Sequence, residues 1–75
     1  MTSKATKLLQ LGKNIKSARK LKHLSQNALA EKLDISREHL AKIETAKRSL
    51  SLDLLFRISD ILNISESNLL NFREK

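Results

Sequence analysis

Residues 25–44 read Ser25-Gln26-Asn27-Ala28-Leu29-Ala30-Glu31-Lys32-Leu33-Asp34-Ile35-Ser36-Arg37-Glu38-His39-Leu40-Ala41-Lys42-Ile43-Glu44, and the rest of the chain is best understood around them. Ser25 is a good N-cap, and Ala28, Leu29 and Leu33 follow at helical spacing, which predicts a short helix ending near Leu33. Asp34 follows it. The residue that closes a helix in the left-handed conformation is usually Gly, with Asn and Asp next because their polar side chains are short, so Asp34 reads as a turn residue. Ser36 then caps a further helix, Arg37 to about Thr45, in which Leu40 and Ile43 face inward while Arg37, Glu38, Ala41 and Lys42 point elsewhere. Two short helices joined so tightly cross steeply and need a small side chain where they touch, a requirement that Ala30 meets.

Upstream, Leu8, Leu11, Ile15 and Ala18 recur at spacings of three and four, with Lys7, Lys13, Lys16 and Lys20 off that face. This predicts a helix from about Lys4 to Leu21, capped by Ser3. Gly12 inside it costs roughly 1 kcal/mol relative to Ala, so loose or separate first turns are expected. Downstream, after the polar segment from Thr45 to Ser49, Ser51 caps a helix from Leu52 to Leu62, with Asp53 near its positive end. Its inner face reads as Leu52, Leu55, Ile58, Ser59 and Leu62. Asn63 repeats the device of Asp34, and Ser65 caps a terminal helix whose apolar side is Leu69, Leu70 and Phe72. The expected architecture is all-α, a compact bundle of five short helices.

A chain of 75 residues supports one modest core, so a single domain over 1–75 is expected, with its core at about 11–70. There is no Cys for disulfides or a thiolate metal site, no Pro, and one Gly, which leaves helix packing or dimerisation to supply stability. No apolar run approaches the roughly 20 residues of a membrane span, and Met1 to Asn14 lacks the apolar stretch of a signal peptide; a cytoplasmic protein is expected. Charge is divided unequally. Residues 1–48 carry twelve Lys and Arg against four acids, residues 49–75 three against four. The basic surface therefore belongs to the first two thirds, where it attracts nucleic acid or anionic membrane, or simply solubilises. Membrane docking of Lys4 to Lys22 is disfavoured, because its apolar side is needed for the core and no aromatic residue anchors it. No paired carboxylates, nucleophile with base, or phosphate loop is present, and two isolated His residues make no metal site, so neither enzymatic activity nor a cofactor or metal is expected.

With these elements in order, the chain resembles the phage Cro and repressor class of helix-turn-helix proteins, often called XRE-like, over nearly its whole length from Leu11 to Leu70. The resemblance is carried by Gly12-Lys13-Asn14-Ile15-Lys16 then Arg19, Leu24-Ser25-Gln26, Leu29-Ala30, Leu33-Asp34-Ile35-Ser36, Ile43-Glu44, Lys47-Arg48, and Leu55 with Leu62-Asn63-Ile64. It implies a lambda-repressor-like fold and a transcriptional regulator whose helix-turn-helix, roughly Gln26 to Glu44, reads double-stranded DNA in the major groove. It implies that Gln26 touches a phosphate, that Arg37, Glu38 and Lys42 face base edges, and that Thr45, Lys47 and Arg48 form a phosphate-contacting segment. The chemistry agrees: Arg37 can pair bidentately with guanine, Lys42 can reach guanine or a phosphate, and Glu38 can accept from the cytosine amino group. Glu38 has a second reading, favouring the helix dipole or holding Arg37 or Lys42. His39 stands between a solvated side chain and a DNA contact, and His23 reads as loop surface. Arg19 and Glu44 are implied to be an inward ion pair tying the first helix to the recognition helix.

The chain departs from the family pattern at Ala46, Asp34 and Asn63, where Gly is common, and at Leu50, where Pro is. Ala46 costs about 1 kcal/mol if it keeps a positive φ. One recognition helix contacts too few bases for tight specific binding, so a homodimer on a near-palindromic operator is expected. Leu54 and Ile61, with Leu69, Leu70 and Phe72, either form the two-fold patch or complete the monomer core. The competing function is a protein-interaction module, such as an antitoxin-like partner using the same fold, and a regulatory protein partner fits either reading.

Overall fold

The computed structural model describes residues 3–71. Five α-helices follow in order: α1 (Lys4–Leu21), α2 (Gln26–Leu33), α3 (Arg37–Glu44), α4 (Leu52–Leu62) and α5 (Glu66–Leu69). Each begins on a serine. The Oγ of Ser3, Ser25, Ser36, Ser51 and Ser65 accepts the backbone N–H three residues on, at 3.0–3.1 Å. Each cap satisfies an N–H that the helix itself cannot, a contribution of about 1 kcal/mol.

The first four helices also end alike. His23, Asp34, Ala46 and Asn63 take φ of 57°, 58°, 62° and 53°. The residue after each turns its N–H back to the carbonyl five before it: Leu24 to Arg19 at 3.1 Å, Ile35 to Ala30 at 3.0 Å, Lys47 to Lys42 at 2.8 Å and Ile64 to Ser59 at 3.2 Å. This is the Schellman closure, built here without a glycine. It usually brings an apolar side chain onto the last turn, and Leu24, Ile35 and Ile64 do pack against the core. After α3 that place is held by Lys47, which is exposed.

The core joins Leu11, Ile15 and Ala18 of α1, Leu29, Ala30 and Leu33 of α2, Leu40 and Ile43 of α3, Leu54, Leu55, Ile58 and Leu62 of α4, and Leu69 of α5. Ala30, 1% exposed, lies where α2 meets its neighbours. Gly12 does not loosen α1, which runs unbroken through it. A Cβ on Gly12 would stand 2.5 Å from the Glu44 carbonyl oxygen and 2.7 Å from that of Ile43, so a glycine lets α1 touch the main chain at the end of α3. Asn14 ties α1 to the C-terminal segment, donating to the carbonyls of Leu69 (2.8 Å) and Asn71 (3.2 Å).

Two expectations for α4 and α5 are corrected. Leu52, placed on the inner face, is 68% exposed, whereas Leu54 is buried. The buried face is centred on Leu54, Leu55, Ile58 and Leu62, because α4 packs on both α1 and α2 and a second apolar stripe is needed. Leu54 and Leu69, read as either a two-fold patch or part of the monomer core, are buried inside the monomer and so do not form the patch. Ile61 is half-buried at the edge of the core, Leu70 is exposed, and Phe72 lies outside the described residues.

Candidate nucleic-acid interface

The fold holds α3 from one side only. Leu40 (0% exposed), Ile43 (2%) and Glu44 (4%) point inward, Glu38 and Lys42 are exposed on the opposite side, and Arg37 is exposed on the flank at the start of the helix. Eight residues make a rod about 12 Å long, and its diameter with side chains, about 10–12 Å like that of any α-helix, matches the roughly 12 Å width of a DNA major groove. Glu38 sits in the first turn, where the helix dipole favours a carboxylate, and Lys42 in the last, where it favours a cation. His39 is half-buried, so less of its ring is available than of its neighbours' side chains.

Behind α3 lies an ion pair. Arg19 Nε donates to Glu44 Oε2 at 2.8 Å and its Nη2 to Oε1 at 3.2 Å, with the side chains 7% and 1% exposed. Arg19 Nη1 also donates to the Leu24 carbonyl at 2.8 Å. Two buried charges are costly unless paired and hydrogen-bonded throughout, and among the described residues no buried side-chain nitrogen or oxygen lacks a partner. The pair therefore locks α1, the turn before α2 and the end of α3 into one frame.

Around the start of α2 is an open concavity lined by Lys16, Arg19, Ser25, Gln26, Asn27 and Arg37. The first N–H groups of α2 have no partner within the helix, and with Lys16 and Arg37 they give this hollow the polarity that suits a phosphate. Arg37 therefore borders the hollow as well as the exposed face of α3. Gln26 is already engaged: its Nε2 donates to Glu44 Oε1 at 3.0 Å. Lys16 and Asn27 were not singled out from the sequence, since Lys16 is one lysine among several on α1; its place beside the start of α2 is what distinguishes it.

The segment after α3 is mixed. Lys47 and Arg48 are exposed, and both backbone N–H groups turn inward to the Lys42 carbonyl. Thr45 is different, because its hydroxyl donates to the Ala41 carbonyl at 2.8 Å and so does not offer its proton outward. Arg57 of α4, another residue not singled out from the sequence, donates through Nη2 to the Leu33 carbonyl at 2.7 Å. It places a positive charge on the C-terminal end of α2 and braces the turn into α3.

A short helix anchored by its inner side, exposed on its outer side and buttressed across a tight turn by a second short helix defines a helix-turn-helix protein. The helix-turn-helix family model matches residues 15–69, and the chain belongs to that family. It is similar to the HTH-type transcriptional regulator ImmR of Bacillus subtilis (strain 168), 36% identical over 62 residues that cover 83% of this chain and 49% of that protein. The chain thus spans about half the length of ImmR. It is also similar to the control protein C.MunI of a Mycoplasma species, 38% identical over 68 residues that cover 89% of this chain and 92% of that one. Among solved structures, the restriction-modification controller protein C.AhdI from Aeromonas hydrophila superposes with a TM-score of 0.78 at 27% identity, over 83% of this chain and 94% of that one.

Proposed function

We propose that this chain is a sequence-specific regulator of transcription that acts in the cytoplasm and binds double-stranded DNA by placing α3 in the major groove. The carrying observation is that Glu38 and Lys42 are exposed on the face of α3 opposite buried Leu40, Ile43 and Glu44, with Arg37 exposed at its leading end. In this reading Arg37, Glu38 and Lys42 meet base edges, with His39 at the margin, and Lys16, Gln26, Lys47 and Arg48 meet phosphates on either side. Thr45 joins the phosphate contacts only after its hydroxyl turns from Ala41. The relatives named as a transcriptional regulator and as control proteins support this reading.

The proposed active species is a homodimer, because one eight-residue helix reaches too few bases for tight binding alone. Since Leu54 and Leu69 are buried, the surface that best fits a partner copy is the outer side of α4, where Leu52 (68% exposed) and Phe56 (49%) lie one turn apart.

Selection of sites from random duplex DNA at fixed salt tests the reading. The wild type is expected to enrich one near-palindromic sequence with half-sites about 10 base pairs apart, and replacing Arg37 and Lys42 together by Ala to flatten the enrichment. Affinity should fall by about 0.9 log unit per log unit of salt for each phosphate neutralised. A flat profile for the wild type, or affinity indifferent to salt, refutes the proposal.

A further inference from the structure

We infer that Glu44, besides pairing with Arg19, is a positioning residue for DNA: it fixes the side-chain amide of Gln26 so that one N–H of Nε2 is spent on the protein and the other is presented to a backbone phosphate. The inference rests on the DNA-binding reading above.

The geometry leaves the amide one orientation. Glu44 Oε1 stands 3.0 Å from Gln26 Nε2, and an ionised carboxylate can only accept hydrogen bonds. Reversing the amide would set its carbonyl oxygen against the carboxylate, two acceptors face to face. The carboxylate cannot swing aside to relieve that clash, because both its oxygens are held by the Arg19 guanidinium and its side chain is 1% exposed. Arg19 is held in turn by the Leu24 carbonyl, one residue before the cap of α2. A rigid chain therefore runs from Leu24 through Arg19 and Glu44 to Gln26.

Nε2 carries two protons, and Glu44 takes one. Gln26 is only half-buried and lines the concavity with Lys16, Asn27 and Arg37, a cationic hollow whose fitting ligand is an anion. A freely rotating glutamine would offer that anion an oxygen as readily as a nitrogen. Tied to Glu44, it offers a donor with its rotamer already chosen, so less conformational entropy is lost on contact.

The test compares wild type, Gln26→Met, Glu44→Gln and the double variant for binding to a mixed-sequence duplex of about 20 base pairs, two helical turns, at low salt. Affinities are measured at a temperature where far-UV circular dichroism shows each protein folded. Gln26→Met is expected to weaken binding roughly tenfold with little change in Tm. Glu44→Gln, which keeps an acceptor for Arg19 but can turn its own amide either way, should lower Tm and weaken binding by a similar factor. The double variant should bind no more weakly than the weaker single variant, since both changes remove the same contact. A second readout uses the unaltered protein: in 15N–1H spectra, one side-chain amide proton of Gln26 should shift on titration with the duplex. Three outcomes overturn the inference: wild-type affinity in Gln26→Met, losses that multiply in the double variant, or Gln26 amide resonances indifferent to DNA. If the wild type shows no salt-dependent binding to the duplex, the DNA-binding reading falls first and takes this inference with it.

Discussion

Gly12→Ala separates local from tertiary demands on α1. By helix propensity alone the change should stabilise the protein by about 1 kcal/mol, since Gly is the poorer helix former. The fold opposes it. The new Cβ would lie 2.5 Å from the Glu44 carbonyl oxygen, 2.7 Å from that of Ile43 and 2.8 Å from the Glu44 carbonyl carbon, all main-chain atoms that no rotamer change can move. Reaching an ordinary contact near 3.4 Å requires α1 and the end of α3 to part by about 0.9 Å. Forcing an extra methyl into packed surroundings costs about 1–3 kcal/mol, and because main-chain atoms must move the upper part of that range, about 2–3 kcal/mol, applies; less the gain of about 1 kcal/mol in propensity, the balance is a net loss of about 1–2 kcal/mol. At about 4–8 °C per kcal/mol for a domain of this size, Tm should fall by about 5–15 °C. Thermal unfolding followed by far-UV circular dichroism measures this, with Ser17→Ala, exposed on the same helix, as the control that gains propensity without a clash. A Gly12→Ala variant melting at or above the wild type would show that the approach of α1 to α3 is not a rigid constraint.

Three further outcomes are expected. Glu44→Ala strands the buried Arg19 guanidinium and should cost about 3–5 kcal/mol, seen as a large drop in Tm of the free protein; wild-type melting with loss of DNA binding alone would contradict the structural role of the pair. Ala46→Gly should raise Tm, by about 0.5–1 kcal/mol of stability, because the residue holds a φ of 62° that a Cβ resists, and a lower Tm would mean that the loop gains nothing from glycine there. Leu52→Lys or Phe56→Lys should leave a folded protein that sediments as a monomer, whereas a dimeric mass in both would place the two-fold contact elsewhere.

The helices were legible because this chain marks their ends so plainly. A serine precedes each one, and Asp34 and Asn63 at the ends of α2 and α4 are residue types that tolerate the left-handed conformation. The exposed side of α3 was legible for the same reason, since fixing its start fixes which residues point away from the side that carries Leu40 and Ile43. The faces of α4 were not. Apolar residues at Leu52, Leu54, Leu55, Ile58, Ile61 and Leu62 satisfy more than one stripe at helical spacing, and only the docking of α1 and α2 settles which is inside. Contacts between residues distant in the chain were the least legible. The purpose of Gly12 depends on a carbonyl 32 residues away, and Arg57 finds its acceptor 24 residues back at Leu33, neither of which any local pattern signals.

The mounting of α3 separates two kinds of information on one helix. Its grip on the body uses Leu40, Ile43, the Glu44 carboxylate and main-chain oxygens beside Gly12, and none of these lies at the three positions that face outward. Arg37, Glu38 and Lys42 can therefore be exchanged for other residues with little effect on folding. A lineage carrying this frame is free to change its vocabulary one side chain at a time while the grammar that presents it stays fixed, and a set of outward-face variants on this one body is the natural library from which to recover new targets.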